Sequence, residues 1–154
     1  RATAMIFALI IGAALFTNFV NFAGLPDALS DFVGDMDVSP WLVIAAIVAV
    51  YILLGCVLES LSMILLTVPI FYPIVADLGF DLVWFGILVI VVAEISLITP
   101  PIGMNIFVLR AAVPNVTLYD MYRGVLPFVA ADIVRLLLLI FFPVISLWLP
   151  HVLG

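Results

Sequence analysis

A break within an apolar stretch contains the residues best suited to bind an ion. Pro100 and Pro101 lack an N–H, and their rings clash with the preceding turn, so a regular helix cannot continue through them. The first proline disfavours the α region for Thr99, and Gly103 loosens the backbone further. At membrane depth, freed carbonyl groups and a Thr hydroxyl are oxygen ligands for a cation.

These residues predict a sodium site. We expect Thr99 and Gly103 to provide its oxygen ligands, with Pro100 and Asn105 beside them. The ends of the two half-helices would also direct their dipoles at bound ions or at an anionic substrate. The alternative is a proline kink that simply packs against neighbouring helices. Two adjacent prolines between Thr and Gly favour the ion site over the kink.

A second polar group interrupts two apolar runs between residues 41 and 74. Its members are Gly55, Glu59, Ser60 and Ser62. Each run is shorter than the ~20 residues of a membrane span, which predicts a re-entrant hairpin with this group at its tip. The tip would form the second wall of the ion and substrate site. Alternatively, Glu59 lies near an interface and caps the start of a helix.

Two further groups of charged residues lie within apolar runs. Glu94 precedes the break by five residues, and we expect it to hydrogen-bond the hairpin tip or orient the unwound backbone in a supporting role. A coupling proton on Glu94 is the alternative. Asp132 and Arg135 are three residues apart, a spacing that predicts an ion pair on one helix face.

The composition indicates a membrane protein and excludes several other classes. The chain has 154 residues, of which 68% are hydrophobic and 9% charged, and its net charge is −6. It has no basic patch for nucleic acid. Without any lysine it cannot carry a Walker A motif, and zinc-protease and serine-hydrolase motifs are absent, so we expect neither an enzyme nor a cofactor. Cys56 is the single cysteine.

The fold class predicted from these patterns is an all-α membrane protein with a re-entrant helical hairpin and a discontinuous transmembrane helix. Residues 1–40 would form a transmembrane helix and an interfacial helix, and residues 41–76 the hairpin. Residues 77–115 would form the discontinuous helix, with Asp81 as a plausible N-cap. Residues 116–154 would form a short surface helix, opened by a capping box at Thr117, and then the last span.

The positions of the arginines predict the orientation in the membrane. Short loops rich in basic residues stay in the cytoplasm, which places Arg1, Arg110 and Arg123 inside. The acidic loop at residues 27–37 would lie outside. The chain begins with Arg rather than Met, and we expect it to be a C-terminal piece of a longer protein.

The most specific sequence patterns resemble the large membrane subunit of TRAP transporters, the tripartite ATP-independent periplasmic transporters. The similarity covers nearly the whole chain. Its residues are Gly-Cys-Val-Leu-Glu-Ser at 55–60, Thr-Val-Pro-Ile-Phe-Tyr-Pro at 67–73, Phe-Gly at 85–86, Glu-Ile at 94–95 and Thr-Pro-Pro-Ile-Gly-Met-Asn-Ile-Phe at 99–107.

This resemblance implies the second inverted repeat of an elevator-type transporter of the ion transporter superfamily. It implies sodium-coupled uptake of organic anions, such as carboxylates or sialic acid-like acids, across the bacterial inner membrane by a multi-pass protein. It also implies two protein partners, a small membrane subunit and a periplasmic substrate-binding protein. Sodium would be the coupling ion, with no other cofactor.

The chain departs from the family pattern in two respects. It has Val92 and Ser96 near Glu94, where the family often has a polar Asn and a Gly. The first repeat is missing, so we expect no transport by this piece alone. The alternative functions are a superfamily symporter that needs no binding protein and a non-transporting membrane scaffold subunit.

Overall fold

The structure is a computed structural model that describes residues 2–36, 38–99 and 103–153. Over these residues the chain is helical and contains no strand. The helices, in chain order, are α1 (Ala2–Phe22), α2 (Leu25–Asp35), α3 (Pro40–Gly55), α4 (Ser60–Asp77), α5 (Leu82–Ile98), α6 (Met104–Ala112), α7 (Leu118–Phe141) and α8 (Val144–Leu153).

Helix α5 lies at the centre because it is apolar on all sides. It packs against α3, α4, α6, α7 and α8, while α1 and α2 pack on α4. A helix without a polar face is stable only where protein or lipid covers its apolar side chains. Its first turn is fixed by Asp81, whose carboxylate accepts hydrogen bonds from the backbone N–H groups of Val83 and Trp84 at 2.8 and 3.0 Å. The predicted cap at Asp81 is thus confirmed.

The hairpin formed by α3 and α4 is held at its open end by aromatic rings. Trp41, at the start of α3, packs edge-on against Phe80 with ring centroids 5.0 Å apart, and Phe80 stacks on Trp84 at 5.4 Å. Midway along the hairpin, the Thr67 hydroxyl lies 2.8 Å from the Tyr51 hydroxyl. These contacts join the two arms and leave the tip at residues 56–59 facing the other end of α5.

Some of the helices have the length and composition of membrane spans. Among the described residues, Ser60–Asp77 and Leu118–Phe141 are long and apolar enough to cross a membrane. The pair Ile6–Phe22 and Leu25–Asp35, bent by 55°, would make a third span if counted as one. The re-entrant path of the hairpin and the orientation in the membrane remain predictions.

The end of the chain differs from the expected surface helix followed by a last span. Helix α7 begins after the Thr117 cap and continues through Pro127 to Phe141 without interruption. The break comes instead before Pro143, because the residue preceding a proline is disfavoured in the α region and Phe142 has φ −126° and ψ 70°. The predicted N-cap at Thr117 is confirmed: the Thr117 hydroxyl accepts the Asp120 N–H at 3.2 Å and donates to the Asp120 carboxylate at 2.6 Å.

Candidate functional site

The tip of the hairpin and the carboxyl end of α5 meet at Gly55 and Ser96. A Cβ on Gly55 would collide with the Ser96 hydroxyl and would lie 2.6 Å from its Cβ. Ser96 is fully buried, and its hydroxyl donates to the Ala93 carbonyl at 2.6 Å. Only glycine therefore allows the two helices to approach this closely.

Cys56 extends this contact to the edge of the break. Its buried thiol lies 3.9 Å from the Thr99 carbonyl oxygen, within the range of a weak S–H hydrogen bond. The Thr99 hydroxyl donates to the Ile95 carbonyl at 2.6 Å, which leaves the hydroxyl oxygen lone pairs available to a cation. The structure thus brings Gly55 and Thr99, two of the predicted site residues, to one place.

The break presents a set of carbonyl groups beside Gly103. Gly103 has φ +54°, and a Cβ there would lie 3.2 Å from the Thr99 carbonyl oxygen and 3.4 Å from that of Leu97. In a continuous helix Leu97 would accept a hydrogen bond from residue 101, but proline has no N–H. Pro100, Pro101 and Ile102 lie outside the described residues. Asn105, one residue inside α6, is exposed.

The Glu59 side chain hydrogen-bonds the first turn of α4, the helix that follows it. Its carboxylate accepts hydrogen bonds from the backbone N–H groups of Leu61 and Ser62 at 3.0 Å, and from the Ser62 hydroxyl at 3.1 Å. It is therefore the N-cap of α4, as the alternative interpretation had it. Glu59 and Ser62 also border an apolar groove of about 220 Å³ against α1, whereas Ser60 is half-buried.

Glu94 faces α7 rather than the hairpin tip. Its carboxylate lies 3.5 Å from the Arg135 guanidinium, which also pairs with Asp132 at 3.0 Å. The Asp132–Arg135 pair was predicted from spacing and is confirmed. The expected support of the tip by Glu94 is not what the structure shows: Ser96, two residues later, faces Gly55 instead. Two sequence features could have indicated this contact: a Ser within an apolar helix and a glycine at the hairpin tip.

Replacement of Glu59 by Ala is expected to lower the stability of the protein by about 1 kcal/mol, because two N–H groups of α4 lose their acceptor. Glu59→Asp retains a capping carboxylate and should be nearly neutral. Thermal unfolding of the purified full-length protein measures both, and Asp81→Ala is the matched cap removal on α5. Equal losses of stability in Glu59→Asp and Glu59→Ala would contradict the capping role of this carboxylate.

Taken together, these features define an all-helical membrane protein in which a hairpin tip docks on a broken helix. The profile of one family, described as "Tripartite ATP-independent periplasmic transporter, DctM component", matches residues 1–145. The chain belongs to this family, the large permease proteins of TRAP transporters, which are transporters and not enzymes.

Relatives with assigned functions match most or all of the chain. It is 34% identical over 154 residues to the C4-dicarboxylate TRAP transporter large permease protein DctM of Pseudomonas aeruginosa, covering all of this chain and 36% of that protein. It is 31% identical over 151 residues to the sialic acid permease SiaM of Vibrio cholerae, covering 98% and 35%. The isethionate permease DctMQ of Oleidesulfovibrio alaskensis is 29% identical over 146 residues, covering 95% and 23%. The chain thus spans about a third of the length of the first two relatives.

Proposed function

We propose that this chain forms the C-terminal part of a permease that couples sodium entry to the uptake of an organic anion. The observation that carries the proposal is the docking of Gly55 and Cys56 on the carboxyl end of a broken helix. A small membrane subunit in the bacterial inner membrane and a soluble periplasmic binding protein would complete the transporter. Sodium is the coupling ion, and no other cofactor is needed.

The sodium site would use the carbonyl oxygens of Leu97 and Thr99 and the Thr99 hydroxyl. Carbonyl groups at a helix carboxyl end carry partial negative charge, which attracts a cation. The backbone N–H groups at the start of α6, beyond Gly103, carry partial positive charge, which attracts an anionic substrate group. One break can therefore hold a cation and an anion close together, which is the requirement for coupling.

The relatives' names support an organic anion as substrate, since they specify C4-dicarboxylate, sialic acid and isethionate. Carboxylates or sialic acid-like acids are the substrates we propose. An elevator-type movement, with this chain as the second of two inverted repeats, would carry the site across the membrane. Uptake needs the remaining two-thirds of the permease, so it belongs to the whole transporter.

Replacing Thr99 by Val is expected to weaken sodium binding at least tenfold, because one oxygen ligand is lost. Ligand binding raises the melting temperature by linkage, so the purified full-length permease is titrated with NaCl, and with KCl as the control. The sodium midpoint is the NaCl concentration that gives half of the maximal rise in melting temperature. Thr99→Ser retains the hydroxyl and should stay within about threefold, since the ligand oxygen is preserved.

An unchanged sodium midpoint in Thr99→Val would contradict the site. Uptake of radiolabelled succinate, N-acetylneuraminate and isethionate into proteoliposomes tests the transport itself. Uptake without any binding protein would indicate the simpler symporter, and no uptake in any assay would indicate a non-transporting scaffold subunit.

A further inference from the structure

A charged patch lies on the outer surface of α5 and α7, away from the proposed ion site. It consists of Glu94, Asp132 and Arg135, which we name the triad. The side chains of Glu94 and Arg135 are 62% and 46% exposed. One guanidinium is shared between two carboxylates, so the triad has a formal charge of −1.

The triad lies within the apolar part of α7, away from both ends of the helix. Asp132 lies 14 residues after the start and 9 before the end of α7, about 21 and 14 Å along its axis. A hydrocarbon core is about 30 Å thick. Arg135 does not extend to the nearer end but pairs with Glu94. Lipid cannot solvate an exposed carboxylate at this depth, so something polar covers the triad.

The surroundings of the triad favour a helix over a water-filled cavity. Residues three or four apart share a helix face, which places Ile90 beside Glu94, Phe128 beside Asp132 and Leu138 beside Arg135. All three are exposed. A polar centre within an apolar rim is the pattern of helix contacts inside membranes, where polar side chains pair across the interface.

We propose that a membrane-spanning helix from the remaining part of the permease covers this face and contributes a Lys or Arg to the triad. Charge complementarity requires a cation, since the triad carries one uncompensated negative charge. The relatives are about three times as long as their match to this chain, which leaves many residues to supply such a helix. The proposal concerns assembly of the permease and does not depend on which substrate it carries.

Photo-crosslinking tests the proposal in the full-length permease in its native membrane. p-Benzoylphenylalanine at position 94 should crosslink to a helix outside these 154 residues. A protease site engineered between these residues and the rest of the permease then reports the crosslink, because the two fragments stay joined after cleavage. The crosslinked peptide should contain a Lys or Arg within one turn. Position 134, exposed at a similar height but on another face of α7, is the control. The same photoprobe there should give at least fivefold less of the joined product.

Three results would overturn the proposal: a crosslink to the small subunit, a crosslink only to lipid, or a joined peptide without a basic residue. A Glu94→Cys variant provides a second measurement if the bulky photoprobe prevents folding. In inside-out membrane vesicles, a membrane-impermeant maleimide should label this cysteine at least tenfold more slowly than one at the exposed loop residue Asn115. Equal labelling would mean that water, and not a helix, covers the triad.

Discussion

Gly55→Ala is expected to abolish most of the sodium response of the permease. The new methyl group would collide with the buried Ser96 hydroxyl and lie 2.6 Å from its Cβ, so the hairpin tip must move away from α5. Overpacking of a core costs typically 1–3 kcal/mol, and every 1.4 kcal/mol is a factor of ten. We expect at least tenfold weaker sodium binding in the melting-temperature titration and a similar loss of uptake.

A second substitution separates this clash from a general loss of stability. Ser96→Gly removes the two Ser96 atoms and leaves the Met63 sulfur, at 3.4 Å, nearest the new methyl group, so Gly55→Ala with Ser96→Gly should recover most of the sodium response. Ser96→Ala removes only the hydroxyl and should recover less. Gly86→Ala, in α5 with open space around it, is the matched control and should leave sodium binding unchanged. No recovery in the double variant would contradict docking through this contact.

Gly103→Ala is expected to weaken sodium binding tenfold or more through the break itself. Gly103 has φ +54°, a conformation that costs other residues roughly 1–2 kcal/mol. Its new methyl group would also press on the carbonyl oxygens of Thr99 and Leu97, from 3.2 and 3.4 Å, and displace two proposed ligands. The sodium midpoint and the melting temperature should therefore both change.

The control for Gly103 is a glycine with the same backbone strain and no neighbours. Gly79 has φ +80° and open space where a Cβ would lie. Gly79→Ala should lower the melting temperature similarly and leave the sodium midpoint unchanged. Gly103→Asn, a residue that tolerates the left-handed conformation, should regain stability but not sodium binding. Equal sodium midpoints for the two Ala variants would show that the break holds no ion.

The ends of the helices were predictable from sequence because local chemistry sets them. Asp81 and Thr117 cap the helices that they were expected to cap, and α5 ends at the residue before Thr99. Helix α7 continues through Pro127, whereas the chain leaves the helix before Pro143. A proline inside a helix is accommodated or not according to what satisfies the freed carbonyl, which local sequence does not specify.

The rotation of α5 was not predictable, and this explains the different position of Glu94. Because α5 is apolar all round, its sequence carries no periodicity to indicate which side faces which neighbour. Glu94 could therefore be assigned to the hairpin tip as readily as to α7. The contacts of Ser96 with Gly55, and of Glu94 with Arg135, depend on residues about 40 positions away. Such contacts follow only from the packed arrangement.

The hydrogen bond from the Trp84 indole to the Leu139 carbonyl constrains how the protein is made. Its donor and acceptor are 55 residues apart, and the donor leaves the ribosome first. At 17 residues α5 is short for a span of its own, and Arg135, which pairs with Glu94, also follows α5 in the chain. We therefore expect the insertion machinery to retain α5 until α7 arrives. A chain terminated between α6 and α7 would leave this core helix without the Leu139 acceptor and without the Arg135 partner of Glu94.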